Sequence, residues 1–244
     1  MSKKKNPQIL KQVVEFDQYR DTYTGQINKS IEFSGQSHDF FTKVKAEYLA
    51  TILGSKKYFN NEIDALDVGC GHGLIHPYLL AQDSIKLKIS GVDIASSVVD
   101  LARTKNPEVA YESYDGMKLP YAENTFDIAF AICVMHHVPS QQWSNFLQEM
   151  KRVVKSNGLV VIFEHNPVNP ITLKIVKDCP LDKDAILIKS GLMAMMMQQA
   201  GLTLVERKYI LFTPFDKSFF RKLDRKLGWL PLGAQYYTLA RKSV

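Results

Sequence analysis

The stretch ALDVGCGHG, residues 65–73, decides how the rest of the chain is interpreted. An apolar run ends at Asp67 and is followed by glycine at every second position, Gly69, Gly71 and Gly73. Glycine lacks a Cβ, so a glycine-rich turn between a buried strand and a helix lets a ligand approach the main chain. The stretch therefore predicts a strand, a cofactor-binding loop and a helix, in that order.

The spacing of these glycines separates two classes of cofactor. Dinucleotide-binding loops use the pattern G-x-G-x-x-G, and the third glycine of that pattern would fall on Leu74. The carboxylate of Asp67 would repel a pyrophosphate, whereas it would attract an ammonium group. A cofactor that carries a cation and no phosphate is therefore favoured.

The sequence around this loop alternates short β-branched runs with longer helical stretches, which is typical of parallel βαβ units. Strands are predicted at 63–68, 87–92, 109–114, 126–133, 159–164, 202–212 and 235–241. Helices are predicted after Gly73 and at 97–105, 143–155 and 192–200, and Asn157-Gly158 is expected to end the third as a left-handed stop. Strands that are buried between helices on both faces predict an α/β fold with an open, Rossmann-like, doubly wound sheet.

Length and composition predict one globular unit. The chain has 244 residues, of which 45% are apolar, enough for one sizeable core. We expect an N-terminal helical cap over residues 1–60 and the α/β domain over 61–244.

The 31 basic residues exceed the 25 acidic ones by only six, and Lys3, Lys4 and Lys5 supply half of that excess. The charge therefore gives little support to a nucleic-acid partner.

The location of the protein follows from features that the sequence lacks. No apolar run approaches the roughly 20 residues that cross a bilayer, and the N-terminus has no apolar signal-peptide segment. We therefore expect a cytoplasmic protein. Cys70, Cys133 and Cys179 are odd in number and show no C-x-x-C spacing, so reduced thiols are expected rather than disulfides or a thiolate zinc site.

Four stretches resemble, in order, the motifs of class I S-adenosylmethionine-dependent methyltransferases. The stretches are ALDVGCGHG, GVDIA, YDGMKLPYAENTFDIAF and EMKRVVKSNGLVVIFEHNP. Four motifs in one order across about 100 residues are far more specific than any of them alone. The resemblance covers roughly residues 35–212 and the last strand, and the segment EHNPVNPITLKIVKDCPLD is similar to one in a bacterial subgroup of the family with an EHNPxNPxT pattern.

The resemblance implies a fold, a cofactor and a set of cofactor-binding residues. The fold is a seven-stranded sheet whose last strand is antiparallel, and the cofactor is S-adenosyl-L-methionine. Asp93 would accept hydrogen bonds from both ribose hydroxyls, Asp115 would face the adenine amino group, and Gly116 would lie beneath the ring. The full set of implied contacts is Asp67, Gly69, Cys70, Gly71, Gly73, Asp93, Ile94, Asp115, Gly116 and Ile132.

Three histidines are candidates for the chemistry. His136 and His137 follow the fourth strand, and His165 follows the fifth, so all three are expected at the sheet edge where ligands bind. Histidine titrates near neutral pH and suits proton removal from a hydroxyl. We expect His136 to act as base or orienting donor and His137 to pack, although packing of one ring against the sheet explains the pair about equally well.

A metal site is not predicted at these histidines. Adjacent histidines on a loop are expected to point apart, and no carboxylate cluster accompanies them in the sequence.

Other polar candidates for contacts with the acceptor are Glu164, Asn166 and Asn169. We interpret the methionines at 193 and 195–197 as core filling rather than as an acceptor pocket.

The basic stretch at 215–227 has apolar residues at every fourth position, Phe215, Phe219, Leu223 and Leu227. A helix that packs this stripe on the sheet and exposes its basic face is favoured over contact with a membrane surface or an anionic substrate.

The sequence thus predicts methyl transfer to a small molecule or a glycan- or lipid-related acceptor at oxygen. RNA or protein methylation is an alternative within catalysis, but the asparagine-proline-proline-aromatic signature of amino-directed nucleic-acid methyltransferases is absent at AICVMHH, residues 131–137. A non-catalytic protein that binds the cofactor is the other alternative. The acceptor and the oligomeric state are not predicted.

Overall fold

The structure is a computed structural model that describes residues 13–14, 18–19, 21–59 and 62–243. Lys3, Lys4, Lys5 and the first part of the expected cap lie outside these residues. Within the described residues, the helices α1 (Tyr23–Ile31) and α2 (His38–Leu53) precede the sheet. Within the described ranges, no helix is long and apolar enough to cross a membrane.

A single mixed sheet organises the chain. Its strands are β1 (Ile63–Val68), β2 (Leu87–Asp93), β3 (Ala110–Ser113), β4 (Phe126–Ile132), β5 (Val154–His165), β6 (Leu202–Ile210) and β7 (Gln235–Lys242). The strand order is β3-β2-β1-β4-β5-β7-β6, and β7 is antiparallel to both of its neighbours. The predicted seven-stranded, Rossmann-like sheet with an antiparallel last strand is confirmed.

Helices cover both faces of the sheet. They are α3 (His76–Leu80), α4 (Ser96–Lys105), α5 (Trp143–Val153), α6 (Pro170–Asp178), α7 (Ser190–Gln199) and α8 (Ser218–Leu227). Successive strand residues face opposite sides, so Ala65 packs in the core with α2, α3 and α4, whereas Leu66 packs in the core with α5 and α7. Met193 and Met197 of α7 are fully buried in that second core, in agreement with core filling.

The end of α5 differs from the prediction. The helix ends at Val153 and β5 begins at Val154, although Asn157-Gly158 was expected to stop the helix. Asn157 does adopt a positive φ of 65°, but it lies inside the strand. Val154 already pairs with Phe126 of β4, and the Nζ of Lys155 lies 3.0 Å from the carboxylate of Asp127, so the chain has joined the sheet before Asn157.

The packing of α8 also corrects the prediction. Phe215 and Phe219 are 49% and 69% exposed, so the predicted apolar stripe is not buried along its length. Arg221, one of the basic residues of the stretch at 215–227, instead places its guanidinium 4.7 Å from the ring centroid of Phe40, and Asp224 is 1% exposed. A planar guanidinium that stacks on an aromatic ring and neighbours a carboxylate can be buried.

Candidate active site

The glycine loop is built from left-handed backbone. Gly69, Gly71 and Gly73 have φ values of 79°, 50° and 65°, a region that other residues rarely adopt. A Cβ on Gly73 would overlap the Tyr111 hydroxyl, and a Cβ on Gly69 would overlap Val134, whereas a Cβ on Gly71 would meet nothing within 4 Å. Two glycines are therefore required by packing, and Gly71 borders open space.

A buried hydrogen-bond network supports this loop. Asp67 Oδ2 lies 3.0 Å from Nε2 of His76, and Nδ1 of that ring lies 2.5 Å from the hydroxyl of Tyr111. The amide of Asn106 donates to the same hydroxyl at 2.9 Å and to the Gly73 carbonyl at 3.3 Å. Burial raises the pKa of Asp67, and the hydrogen bond from His76 opposes that shift. The network fixes both the acid and the last glycine of the loop.

Asp93 closes the other side of the loop. It ends β2, and its two carboxylate oxygens accept the backbone N–H groups of Gly71 and Ala95, each at 3.0 Å. Burial raises the pKa of Asp93, whereas these N–H groups lower it. Asp115 has a different role, because one of its oxygens accepts the N–H groups of Met117 and Lys118, each at 2.9 Å, and so holds a turn.

A cavity of about 270 Å³ lies along the carboxyl ends of β1, β2, β4 and β5. Of the ten residues implied to bind the cofactor, all but Gly73 and Asp115 line it. Gly73 supports the loop from beneath, and the neighbour of Asp115, Gly116, lines the cavity with a positive φ of 78°. The open space over Gly71 and the carboxylate of Asp93 on the cavity wall fit a cofactor that carries a ribose.

The three candidate histidines line the same cavity. The alternation of side-chain direction along β4 does not extend to His136 and His137, because β4 ends at Ile132 and Cys133 has a positive φ of 56°. His136 is 1% exposed and is the more buried of the adjacent pair, whereas His137 was expected to pack. The turn after β4, rather than the strand, therefore sets the direction of both rings.

Glu164 holds His136 in one orientation. Oε2 of Glu164 lies 2.5 Å from Nδ1 of His136, and Oε1 accepts the backbone N–H of Met135 at 2.8 Å. Glu164 is itself fully buried at the end of β5. The other ring nitrogen of His136, Nε2, therefore faces away from Glu164 and into the space between β4 and the segment after α6.

The structure places a second carboxylate against the histidines. Oδ1 of Asp182 lies 3.5 Å from Nε2 of His136 and 3.4 Å from Nε2 of His137. The ring centroids of His136 and His137 are 4.1 Å apart, and those of His136 and His165 are 5.1 Å apart. The sequence argument against a metal site had two premises: that the two rings point apart and that no carboxylate accompanies them. Both premises are wrong.

In this cluster, the charges of neighbouring groups oppose the effect of burial on the pKa values of His136 and Glu164. Burial alone would lower the pKa of His136, but the carboxylates of Glu164 and Asp182 outweigh it and hold that pKa well above its usual value. Burial raises the pKa of Glu164, but the charge of His136 opposes it and the net shift is downward. Burial and the charge of His136 together lower the pKa of His165 to about 4. The positive charge is thus concentrated on His136.

Sequence reasoning missed several residues that line this end of the cavity. Lys45 of α2 is 6% exposed, and Asp182 comes from a short 3₁₀ turn after α6. Lys45 lies between Phe41 and Leu49 in an apolar series with i, i+4 spacing. A lysine in such an apolar stripe is a sequence signal for a functional residue. Asp182 carries no such signal, because only the path of the chain after α6 brings it to the histidines.

Two predicted acceptor contacts have structural roles instead. The side-chain amide of Asn166 donates to the carbonyls of Pro231 and Gly233, at 3.2 and 2.8 Å. Asn169 caps α6, and its oxygen accepts the N–H groups of its first turn. Among the described residues that line the cavity, neither asparagine occurs, nor does any of the methionines of α7. These asparagines bind the segment after β5 to the one before β7.

The central part of the chain is similar to a known family of domains. Residues 66–162 match the family model described as "Methyltransferase domain". This span runs from β1 into β5 and holds the glycine loop, Asp93 and the two histidines after β4. The match agrees with the class of protein that the glycine loop predicts.

The chain is also similar to individual proteins. Over 155 residues it is 32% identical to a demethylmenaquinone methyltransferase of Lactobacillus johnsonii. The alignment covers 55% of this chain and 63% of the relative. A ubiquinone biosynthesis O-methyltransferase of Rickettsia canadensis is 27% identical over 128 residues, 49% of this chain and 50% of the relative. The chain thus spans less than two thirds of either relative.

A solved structure extends the likeness over nearly the whole chain. An S-adenosylmethionine-dependent methyltransferase from Thermotoga maritima superposes with a TM-score of 0.66 at 17% identity, covering 95% of this chain and all of that one. At this level of identity the likeness concerns the fold alone. It includes the flanking elements that lie outside residues 66–162.

Proposed function

We propose that this protein transfers a methyl group from S-adenosyl-L-methionine to a hydroxyl oxygen of a small, largely apolar acceptor. The observation that carries the proposal is the cavity, because one continuous space joins the glycine loop to a buried cluster of histidines and carboxylates. Cofactor and acceptor would therefore meet at the carboxyl edge of the sheet, where open α/β sheets bind ligands.

The cofactor half of the cavity has the residues that the proposal requires. Gly71 leaves space against its backbone, and Asp93 is positioned by two backbone N–H groups to accept ribose hydroxyls. Gly116 would lie under the adenine ring, and Asp67 would attract the ammonium group of the methionine moiety. The bound cofactor supplies a sulfonium methyl that is already reactive toward a nucleophile.

The acceptor half would be formed by the histidines and by elements outside the matched domain. Apolar side chains of α1, α2 and α6 line it, including Ile27, Phe41 and Ile175. Such walls suit an acceptor with an apolar body, and they exclude water from the transfer. The few polar groups among them, Lys45 and the histidine cluster, would orient the reacting hydroxyl.

Proton removal is the step for which the cluster is suited. A hydroxyl becomes a good nucleophile when its proton leaves during the transfer. His136, held by Glu164 at Nδ1 and carrying the positive charge of the cluster, would orient the hydroxyl as a donor from Nε2, and the neutral ring of His165 is suited to take the proton. Because methyl transfer needs little covalent catalysis, alignment by the cavity walls would supply much of the remaining rate.

The relatives support an apolar acceptor, and one of them supports methylation at oxygen. The Rickettsia protein is named for O-methylation in ubiquinone biosynthesis, and the Lactobacillus protein is named for demethylmenaquinone. Both names refer to a quinone, and only the Rickettsia name specifies oxygen. We extend to this chain only the chemical class, an apolar acceptor with a ring or chain that bears a hydroxyl.

A labelling experiment tests the proposal. The protein is incubated with S-adenosylmethionine labelled in the methyl group and with a cell extract separated into small molecules, lipids, RNA and protein. We expect label in the small-molecule or lipid fraction, on a product that is one methylene heavier and shows an O-methyl signal by NMR. Label in RNA or protein would favour the alternative substrates, and cofactor binding without transfer to any fraction would favour a non-catalytic role.

A further inference from the structure

The histidine cluster has an arrangement that proton transfer alone does not require. His136, His165 and Asp182 each offer one ligand atom, and these atoms all lie within 4.8 Å of one another. They come from three separate segments, after β4, at the end of β5 and after α6. We infer that these three side chains form a binding site for one divalent transition-metal ion.

The first argument is the state of His136 Nε2. This atom is buried and has no hydrogen-bond partner, and its 3.5 Å separation from Asp182 Oδ1 is too long for a normal hydrogen bond. An unpartnered polar atom in the interior costs free energy. A metal ion between the two side chains would satisfy the nitrogen and the carboxylate at once.

The second argument is the spacing of the ligand atoms. Ligands of a tetrahedral ion with bonds of about 2.0–2.2 Å lie about 3.4 Å apart. Asp182 Oδ1 lies 3.5 Å from Nε2 of His136, and the ligand atom of His165 lies within 4.8 Å of both side chains' ligand atoms. The first separation matches the edge of a metal coordination shell.

The third argument is the support behind His136. Metal-binding histidines usually donate their second ring N–H to a carboxylate or carbonyl, which fixes the ring and raises its basicity. Glu164 takes this position, with Oε2 2.5 Å from Nδ1 of His136. The side-chain amide of Gln235 lies 3.4 Å from Nδ1 of His165, and its oxygen is buried without a partner. If that amide turned by 180°, the oxygen would support His165 in the same way.

The donor set selects the kind of ion. Imidazole nitrogen suits Zn²⁺, Fe²⁺ and related transition metals, whereas Mg²⁺ and Ca²⁺ prefer sites made of oxygen. Two imidazoles and one carboxylate match the ligand sets of zinc enzymes and of non-haem iron enzymes. An ion in this position would lie on the wall of the cavity assigned to the acceptor. With Nε2 of His136 as its ligand, the ion rather than this nitrogen would orient the acceptor hydroxyl.

Direct metal binding tests the inference, and the test does not depend on methyl transfer. The full-length protein is stripped with a chelator and titrated with Zn²⁺, with Fe²⁺ in the absence of oxygen, and with Mg²⁺. Bound metal is counted by mass spectrometry after gel filtration, and Co²⁺ absorption reports the coordination geometry. We expect one Zn²⁺ or Fe²⁺ per chain, intense tetrahedral or five-coordinate Co²⁺ bands, and no stoichiometric Mg²⁺.

Matched variants locate the site. Asp182→Asn should weaken binding at least tenfold, whereas Asp178→Asn, an exposed carboxylate on α6 that pairs with Lys174, should bind as the wild type does. Glu164→Gln keeps the shape of the side chain and should weaken binding by about 10- to 100-fold. Melting curves show that each variant is folded.

Two results would overturn the inference. One is a folded wild-type protein that retains no Zn²⁺ or Fe²⁺ after gel filtration, which would leave a protonated His136 between two carboxylates as the explanation of the cluster. The other is equal metal affinity of the wild type and Asp182→Asn. Either result would leave the proposed methyl transfer standing.

Discussion

The two halves of the cavity are built in different ways. The half assigned to the cofactor comes from the ends of β1 and β2, and the glycine-loop backbone and Asp93 line it. The acceptor half collects side chains from α1, α2, the turn after β4, the end of β5 and the segment after α6. One half is thus set by a single short motif, and the other by the packing of distant segments.

This difference indicates which part of the cavity tolerates substitution and which part does not. A backbone cradle with positive φ at three glycines tolerates little substitution, because few other residues fit there. The acceptor half uses ordinary side chains on helices and loops, which can be exchanged without loss of the sheet. Changes in the two halves should therefore act on separate steps, and the predictions below test that separation.

The largest effect is expected in the acceptor half. His136→Ala should lower single-turnover methyl transfer by about 10²- to 10⁴-fold, because it removes the group proposed to act on the acceptor hydroxyl. The affinity for S-adenosylhomocysteine, measured by calorimetry, should stay within a factor of about two, since the main cofactor contacts lie elsewhere. His137→Ala, which removes the neighbouring ring, should have a smaller effect on turnover.

The same variant can contradict the assignment. If folded His136→Ala transfers methyl at the wild-type rate, His136 has no part in the reaction, and His165 becomes the better candidate. If its cofactor affinity falls as much as its turnover, the two halves of the cavity are not independent. Melting temperatures of wild type and variant would first show whether loss of the buried pair with Glu164 unfolds the protein.

The next effect is expected in the cofactor half. Asp93→Ala should weaken S-adenosylmethionine binding by about 2 to 4 kcal/mol, because two charge-assisted hydrogen bonds to the ribose would be lost. Asp100→Ala removes an exposed acid of α4 that pairs with Arg103, and should leave the affinity unchanged. Calorimetry that finds wild-type affinity in folded Asp93→Ala would refute the ribose contact.

A smaller effect distinguishes two glycines of the same loop. Gly71→Ala should lower cofactor affinity about tenfold, because its Cβ enters the open space over the loop, and the positive φ should cost about 1 kcal/mol of stability. Gly73→Ala should mainly lower the free energy of unfolding, by about 2 to 3 kcal/mol, because its Cβ overlaps Tyr111 and Asn106. Urea unfolding and calorimetry of both variants separate the two effects, and equal effects would contradict the distinction.

The contrast between the halves also explains what the sequence could predict. The sheet and the glycine loop are encoded locally, in β-branched runs and in the spacing from Asp67 to Gly73, so their bounds and order were predicted closely. His136 was identified by its place after β4, but its partner Asp182 lies 46 positions away (182 − 136) and reaches it only through the fold. The inward turn of Arg221 on α8 was missed because a stacked guanidinium looks, in sequence, like a solvated charge.

The last prediction concerns selectivity in the cofactor half and expects no effect. NAD at millimolar concentration should not displace S-adenosylhomocysteine, because a pyrophosphate would approach the carboxylate of Asp67, and Leu74 stands where a dinucleotide loop needs its third glycine. Leu74 lines the cavity, so its side chain occupies space that such a glycine would leave open. Competition calorimetry checks the prediction with S-adenosylmethionine as the positive control. Displacement by NAD would mean that the loop accepts phosphate, and the cofactor assigned from its glycine spacing would be wrong.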